Sequence, residues 1–399
     1  MISKPKILTF VSYYLPGYKA GGPLRTIANM VEHLGNDFEF WIVTRDRDLG
    51  DTVPYADVII NEWNDVHGAK VFYLSPDRQT LNGIADIINA TPHDLMYLNS
   101  FFDPLFTLKP LIARRLGYVK DVPIVLAPRG EFSAGALRLK SIKKKVYIHA
   151  ARVLGLYNNL YWHASSVHEV EDIRREFALK DDVVLTALDL PTKVSHNDFA
   201  DSRSNVDHER LRIVFLSRIS PMKNLDYALR ILKQVRAKVK FDIYGPIEDK
   251  GYWELCEELI HLLPANIDVS HRGPVHPDDV AKIFAQYDLF LFPTRGENYG
   301  HVIAESLNVG TPVLISDQTP WKNLENDGLG WDIPLDDMSA FINVIERMSL
   351  RTFDEKYQER QHIHQKVIER LTSPELLEAN RQVFSKPLKN KNLKKENNV

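Results

Sequence analysis

The chain has 399 residues, with 50 Lys and Arg against 53 Asp and Glu, a formal net charge of −3, 44% apolar and 26% charged residues. At about 150 residues per domain, this length predicts two or three domains of an ordinary soluble globular protein, and the near balance of charge excludes a general electrostatic drive toward nucleic acid. The single cysteine, Cys256, allows no internal disulfide, and no run of about 20 apolar residues could span a bilayer, so the expected location is cytoplasmic.

From the N-terminus, the apolar run Ile7 to Leu15 ends in Pro16-Gly17-Tyr18-Lys19 without a small-residue cleavage pattern, which predicts a buried strand rather than a signal peptide. Leu24, Ile27, Val31 and Leu34 then share one helical face, and Phe38 to Val43 is again strand-like. This alternation predicts parallel β-α-β units with helices on both faces of a sheet. Further strands are expected at Lys70 to Leu74, Leu95 to Asn99, Pro123 to Ala127 and Leu160 to His163. The polar stretch 196–212 reads as a linker. After it the alternation restarts with strands at Ile213 to Leu216, Val239 to Tyr244, Ile267 to Ser270, Asp288 to Phe292 and Pro312 to Ser316. The reading is therefore a doubly wound domain over 1–195, a linker, and a second over 213–365. A C-terminal helix over 366–385 is expected to return to the first domain, ahead of a basic, disordered tail over 386–399.

Three loops carry candidate chemistry. Gly21 and Gly22 precede Pro23 at the start of a helix, where free N–H groups can meet an anion; the spacing is neither a dinucleotide fingerprint nor a P-loop. Arg218 and Lys223 lie five residues apart between a strand and a helix, so a planar fork and a point charge can converge on a diphosphate. The segment Glu297-Asn298-Tyr299-Gly300-His301 leads into a helix carrying Glu305. Eight helical steps would separate the two carboxylates by about 12 Å, against about 5–9.5 Å for hydrolytic pairs. Two contacts to one long ligand fit better, with the N–H groups near Asn298 to His301 between them.

Glu-x-x-Gly followed by Ala-Glu, then Gly-Thr-Pro-Val-Leu-Ile-Ser, with Arg218 and Lys223 upstream and the Gly21-Gly22 loop, resembles glycosyltransferase family 4 over nearly the whole chain. Ala127-Pro128-Arg129-Gly130-Glu131 and Ser316-Asp317-Gln318-Thr319-Pro320-Trp321 are similar to the bacterial members that build capsule, exopolysaccharide or O-antigen. The resemblance implies the α/β GT-B fold, two Rossmann-like domains facing a cleft, with the acceptor on the N-terminal and the nucleotide-sugar on the C-terminal domain. It implies retaining, metal-independent transfer to a saccharide acceptor, expected to be lipid-linked, with the nucleotide-sugar a substrate and no cofactor. Glu297 would bind the sugar hydroxyls, Glu305 the ribose, and Arg218 with Lys223 the diphosphate, with Gly21 and Gly22 approaching it. Transfer of this kind needs no protein nucleophile; stabilising the departing nucleotide is the dominant task. The alternatives carried are a nucleotide-sugar epimerase and an inactive partner subunit of the same fold.

The sequence departs from the family pattern in three places. Arg129-Gly130 stands where many members have His-Gly, which makes Arg129 and Glu131 the acceptor-side candidates. Lys223 is followed by Asn224 rather than Gly, and Ala187-Leu188-Asp189-Leu190-Pro191 replaces a Pro-Asn-Gly loop. Asp46-Arg47-Asp48 looks like a metal-binding acid pair but sits in the wrong fold for that role. The segment Leu137 to Leu154 holds six cations, and no acid occurs between Glu131 and Glu169. It reads either as a solvated helix face or as a surface for anionic lipid.

Overall fold

The computed structural model describes residues 3–133, 136–137, 141–193, 210–371 and 373–396. The chain divides into two compact units, Met1–Lys193 with Ser373–Val399, and Val194–Thr372. Residues 194–209 of the expected linker region lie outside the described residues.

In the first unit the strands are β1 (Lys6–Phe10), β2 (Glu39–Arg45), β3 (Trp63–Val66), β4 (Ala69–Leu74), β5 (Leu95–Asn99), β6 (Ile124–Ala127), β7 (Tyr161–Ala164) and β8 (Val184–Thr186). They form one sheet in the order β3-β4-β2-β1-β5-β6-β7-β8, parallel throughout except for the antiparallel β3–β4 pair. In the second unit β9 (Leu211–Leu216), β10 (Val239–Tyr244), β11 (Ile267–Gly273), β12 (Leu289–Phe292), β13 (Val313–Ser316) and β14 (Gly330–Ile333) form a fully parallel sheet ordered β11-β10-β9-β12-β13-β14. Helices on both faces explain why these strands read as unbroken apolar runs: Ile213, Val214 and Phe215 are fully buried, as are Leu289 to Phe292. Register is fixed by the same burial, with Ile213 opposite both Phe241 and Leu289.

Two doubly wound parallel sheets are the α/β architecture expected from the alternating pattern. The strands that the pattern missed, β3, β8 and β14, are short. Trp63-Asn64-Asp65-Val66 and Gly330-Trp331-Asp332-Ile333 each carry polar residues where a buried run would show none. The C-terminus also differs in detail. The helix Phe353–Leu371 belongs to the second unit, burying Arg360, Ile363, Val367 and Leu371 there. The return to the first unit begins after it, with the helix Pro374–Glu396. Phe384 seats this helix against Phe38, Phe40 and Tyr97, with ring centroids 5.2, 5.8 and 5.2 Å away. Disorder was expected from Lys386, but the helix continues through Pro387 to Glu396. Leu388 still packs against the core and Asn390 donates to the Tyr161 hydroxyl at 2.9 Å, so the basic segment has anchors that its composition hides.

Candidate active site

The second sheet reverses its winding between β9 and β12: successive strands add outward from β9 on one side and from β12 on the other. In open α/β sheets that switch point leaves a crevice at the carboxyl ends of the strands, where ligands bind. The loops after these two strands are those that carry Arg218, Lys223 and Glu297. The fold therefore brings together side chains 74 positions apart: the Lys223 ammonium donates to a Glu297 carboxylate oxygen, and both side chains are largely buried. Lys223 also stands over the Phe292 ring, 5.7 Å from its centroid.

The backbone around this pair is tied down from several directions. Asn224 adopts left-handed φ, ψ of 62° and 37° as the residue before the helix Leu225–Leu232. Its amide donates to Pro293 O at 2.8 Å and its side-chain oxygen accepts from Arg295 Nε at 3.0 Å. Arg295 N donates to Met222 O at 2.9 Å, and Thr294 Oγ1 donates to Met222 O at 3.1 Å. Glu297 N donates to Gln318 O at 3.2 Å. Asn224, where many family members have glycine, thus tolerates the left-handed backbone and clamps the two loops at once.

Glu297 sits in a loop, four residues before the helix His301–Asn308. Glu297 is thus in the loop and Glu305 in the helix, as expected, so the separation of about 12 Å worked out for eight helical steps does not apply. Gly300 opens the helix with φ +81°, in the left-handed region that favours glycine. No side chain caps the helix start and no acid occupies its first turn. The positive end of this helix's dipole lies beside Asn298. Tyr299 and His301 pack ring to ring at 4.8 Å, and Trp321 Nε1 holds Tyr299 O at 2.7 Å. Glu305 lies half-buried on the same helix. Arg218 is more exposed and pairs with Glu248 at 2.7 Å.

In the first unit, Gly21, with φ +78°, precedes the helix Gly22–Leu34, whose start has no side-chain cap; a Cβ on Gly22 would meet nothing within 4 Å. Asp48 shapes this loop by accepting from the N–H groups of Tyr18 at 2.7 Å and Lys19 at 3.1 Å, while Asp46 pairs with Arg47 at 2.8 Å. The carboxylates that resembled a metal pair thus have other partners. Among the described residues, no group of three or more His, Cys, Asp or Glu could hold a metal ion.

Arg129 and Glu131 face inward. The Arg129 guanidinium donates to Asp189 at 2.8 Å, Tyr97 Oη at 2.7 Å and Asn99 Oδ1 at 2.8 Å, and Asp189 also accepts from Thr26 Oγ1 at 2.8 Å. Two departures from the family pattern are thus each other's partners: the arginine that replaces histidine pairs with the aspartate of the altered 187–191 loop. Glu131 accepts from Ser100 Oγ at 2.7 Å and from the N–H groups of Phe101 at 2.5 Å and Phe102 at 3.2 Å. Burial pushes its carboxyl above the usual range against those hydrogen bonds. Behind Arg129, burial and the guanidinium charge lower His163 to about 4, which keeps its ring neutral while Nδ1 meets Tyr97 Oη at 2.7 Å. Sequence reasoning named Asn224, Asp48 and Asp189 but missed what each of them holds. The only signals for them were a residue change beside a lysine, a carboxylate at a strand end, and an acid in an altered loop.

Two parallel-sheet domains, the second with its crevice at the switch point, define the GT-B class of fold. Residues 197–366 match the family described as glycosyl transferases group 1. A 41.2 kDa protein in the cps region of Klebsiella pneumoniae is 25% identical over 271 residues, covering 66% of this chain and 71% of that protein. Among solved structures, Anabaena HepE in complex with UDP and glucose superposes with a TM-score of 0.66 at 15% identity, covering 95% of this chain and 98% of the other. The lipopolysaccharide outer core galactosyltransferase WaaB superposes at 0.60 with 14% identity, over 96% and 99% of the two chains. At such identities these two likenesses speak for the fold alone. Among the described residues, no helix is long and apolar enough to cross a membrane.

Proposed function

We propose that this chain is a retaining, metal-independent glycosyltransferase that moves a sugar from a nucleotide-sugar to a lipid-linked saccharide in bacterial surface-polysaccharide synthesis. The observation that carries the reading is the Lys223–Glu297 pair at the switch point of a group 1 glycosyltransferase domain. A diphosphate placed there meets the Lys223 ammonium, the Arg218 guanidinium and the N–H groups at the start of the helix His301–Asn308. These preorganised positive groups stabilise the charge that develops on the departing nucleotide. Glu297 orients Lys223 and accepts from sugar hydroxyls, and Glu305 accepts from the ribose. The glycine-rich helix start at Gly21-Gly22 is a second place where a phosphate oxygen fits. Arg129 and Glu131, with their polar atoms engaged inside the fold, act on the acceptor side by positioning the loops after β5 and β6. The cps-region relative supports the choice of a surface polysaccharide.

Attachment to the membrane face is proposed through the helix Ser141–Val153. Ile142, Val146, Val153 and Leu154 are all exposed there among Lys143, Lys145, His149 and Arg152. Exposed aliphatic groups interleaved with cations suit an anionic lipid surface. Lys144 turns inward instead, donating to Ala136 O at 2.8 Å and standing 5.0 Å from the Phe102 ring centroid. Residues 138–140 of the basic segment lie outside the described residues.

Incubation with a panel of nucleotide-sugars tests the reading. Release of free nucleotide is expected, lowered tens-fold or more (on the order of 2 kcal/mol or more) in Lys223→Ala, and unaffected by a chelator. A changed sugar with the nucleotide still attached would identify an epimerase, and no turnover on any donor would favour an inactive partner subunit. The anomeric coupling constant of the product tests retention.

A further inference from the structure

The first sheet has its own switch point at β1, which pairs with β2 on one side and β5 on the other. Ser12 and Tyr13 follow β1, Arg45 closes β2, and Asp103 follows β5; the Ser12 hydroxyl donates to the Asp103 carboxylate and joins two of these loops. Beside them the helix Lys109–Arg115 begins. None of these residues belongs to the motifs that carry the family resemblance.

The Arg45 guanidinium lies between two aromatic rings, its carbon 5.8 Å from the Tyr13 centroid and 5.6 Å from that of Phe106. Nη1 donates to Gln79 Oε1 at 3.1 Å, whereas Nε is buried and makes no hydrogen bond. Lys109 donates to the backbone oxygen of the same Gln79. Both cations thus converge on neutral oxygens of one residue, and among the described residues neither forms an ion pair. Lysine and arginine elsewhere in this unit do pair: Lys19 with Asp51, Arg47 with Asp46, Arg114 with Asp121. Asp103, the carboxylate adjoining the cluster, accepts from Ser12 and from the N–H groups of Leu105 at 2.7 Å and Phe106 at 2.8 Å. A desolvated guanidinium N–H without an acceptor is costly, at about 1–3 kcal/mol, and such groups are rare unless something outside the chain satisfies them.

We infer that Arg45 and Lys109 form an oxyanion subsite for a phosphate or carboxylate borne by the acceptor. This deepens the acceptor side of the transferase reading and rests on it. The two rings flank the guanidinium and Gln79 holds Nη1, which leaves Nε as the unfilled donor, and Lys109 adds a point charge from the adjacent helix start. Gln79 spaces the two cations and leaves the negative charge to the ligand. An acceptor that carries no anion near its reacting end would leave both cations uncompensated, so the subsite selects charged acceptors over neutral ones.

The test uses the full chain in an Arg218→Ala/Lys223→Ala background, which silences the cations assigned to the donor. Inorganic phosphate, followed by ³¹P line broadening, should still bind in that background. Adding Arg45→Gln and Lys109→Met should reduce the broadening by at least about fourfold. Arg45→Lys should restore only part of it, because the fork is lost, and Lys109→Gln alone reports on the subsite with the buried arginine intact should the combined variant misfold. Methyl glucuronide displacing phosphate would extend the ligand to carboxylates; failure to displace it would leave phosphate as the recognised group. Equal broadening with and without the two cations, or no phosphate binding in the starting background, overturns the subsite. Nucleotide release is measured separately on the wild type, so that its absence alongside intact phosphate binding refutes the transferase reading and not the subsite.

Discussion

Replacing Asn224 separates the two tasks that its position performs. Asn224→Gly keeps the left-handed backbone at φ 62° and removes the hydrogen bonds to Pro293 O and from Arg295 Nε. A neutral hydrogen bond contributes about 1 kcal/mol and a charge-assisted one about 1.5–3 kcal/mol, so the loss is about 3 kcal/mol. In a unit the size of Val194–Thr372 that corresponds to a fall of about 6–12 °C in its melting transition. Asn224→Ala loses the same bonds and must hold a Cβ in the left-handed region, at a further cost of about 1–2 kcal/mol. Differential scanning calorimetry should therefore rank wild type above Gly, and Gly above Ala. Nucleotide release should fall in both variants, because the loop no longer presents Lys223 to Glu297, and the loss should appear in kcat more than in KM if the contact strengthens as the leaving group charges. A Gly variant that melts and turns over like wild type would refute the clamp, and an Ala variant as stable as Gly would refute the backbone argument.

Other expectations follow from the same geometry. Glu297→Gln should impair transfer and sugar selectivity, whereas Glu305→Gln should weaken UDP binding in calorimetry; unchanged nucleotide affinity in Glu305→Gln would contradict a ribose contact. His163 has a folded-state pKa near 4 against an ordinary 6.5, so the unfolded chain takes up its proton first as pH falls. Its contribution is complete above pH 6.5 and is lost between 6.5 and 4, about 3 kcal/mol in all. The melting-temperature gap between wild type and His163→Gln should change through that window and level off outside it; parallel curves would reject the assignment. Lys143→Gln with Lys145→Gln should weaken sedimentation with anionic vesicles, each cation contributing about 1 kcal/mol, and Ile142→Ser with Val146→Ser should weaken it further. Retention of binding by both pairs would make this helix an ordinary solvated face.

What the sequence determined by itself is local. Strand-length apolar runs and the 3.6-residue periodicity of Leu24, Ile27, Val31 and Leu34 are written in neighbouring residues, so the two α/β halves could be read directly. So could the loops at strand ends that hold Arg218, Lys223 and Glu297. Strands as short and polar as β3 escaped because two or three inward side chains make no pattern. Tertiary structure alone decided which distant loops meet. Placing β9 beside β12 joins Lys223 to Glu297, and the loops after β6 and β8 join Arg129 to Asp189 across 60 positions. It also decided which charged side chains turn inward. Arg129 and Glu131, acceptor-side candidates in the sequence, are buried among partners, while Arg45, unremarkable in the sequence, stands beside two rings with an unfilled donor. Periodicity reports a residue's relation to those within a few positions of it; strand order and burial arise from packing over the whole chain, and these set the partners of a charge.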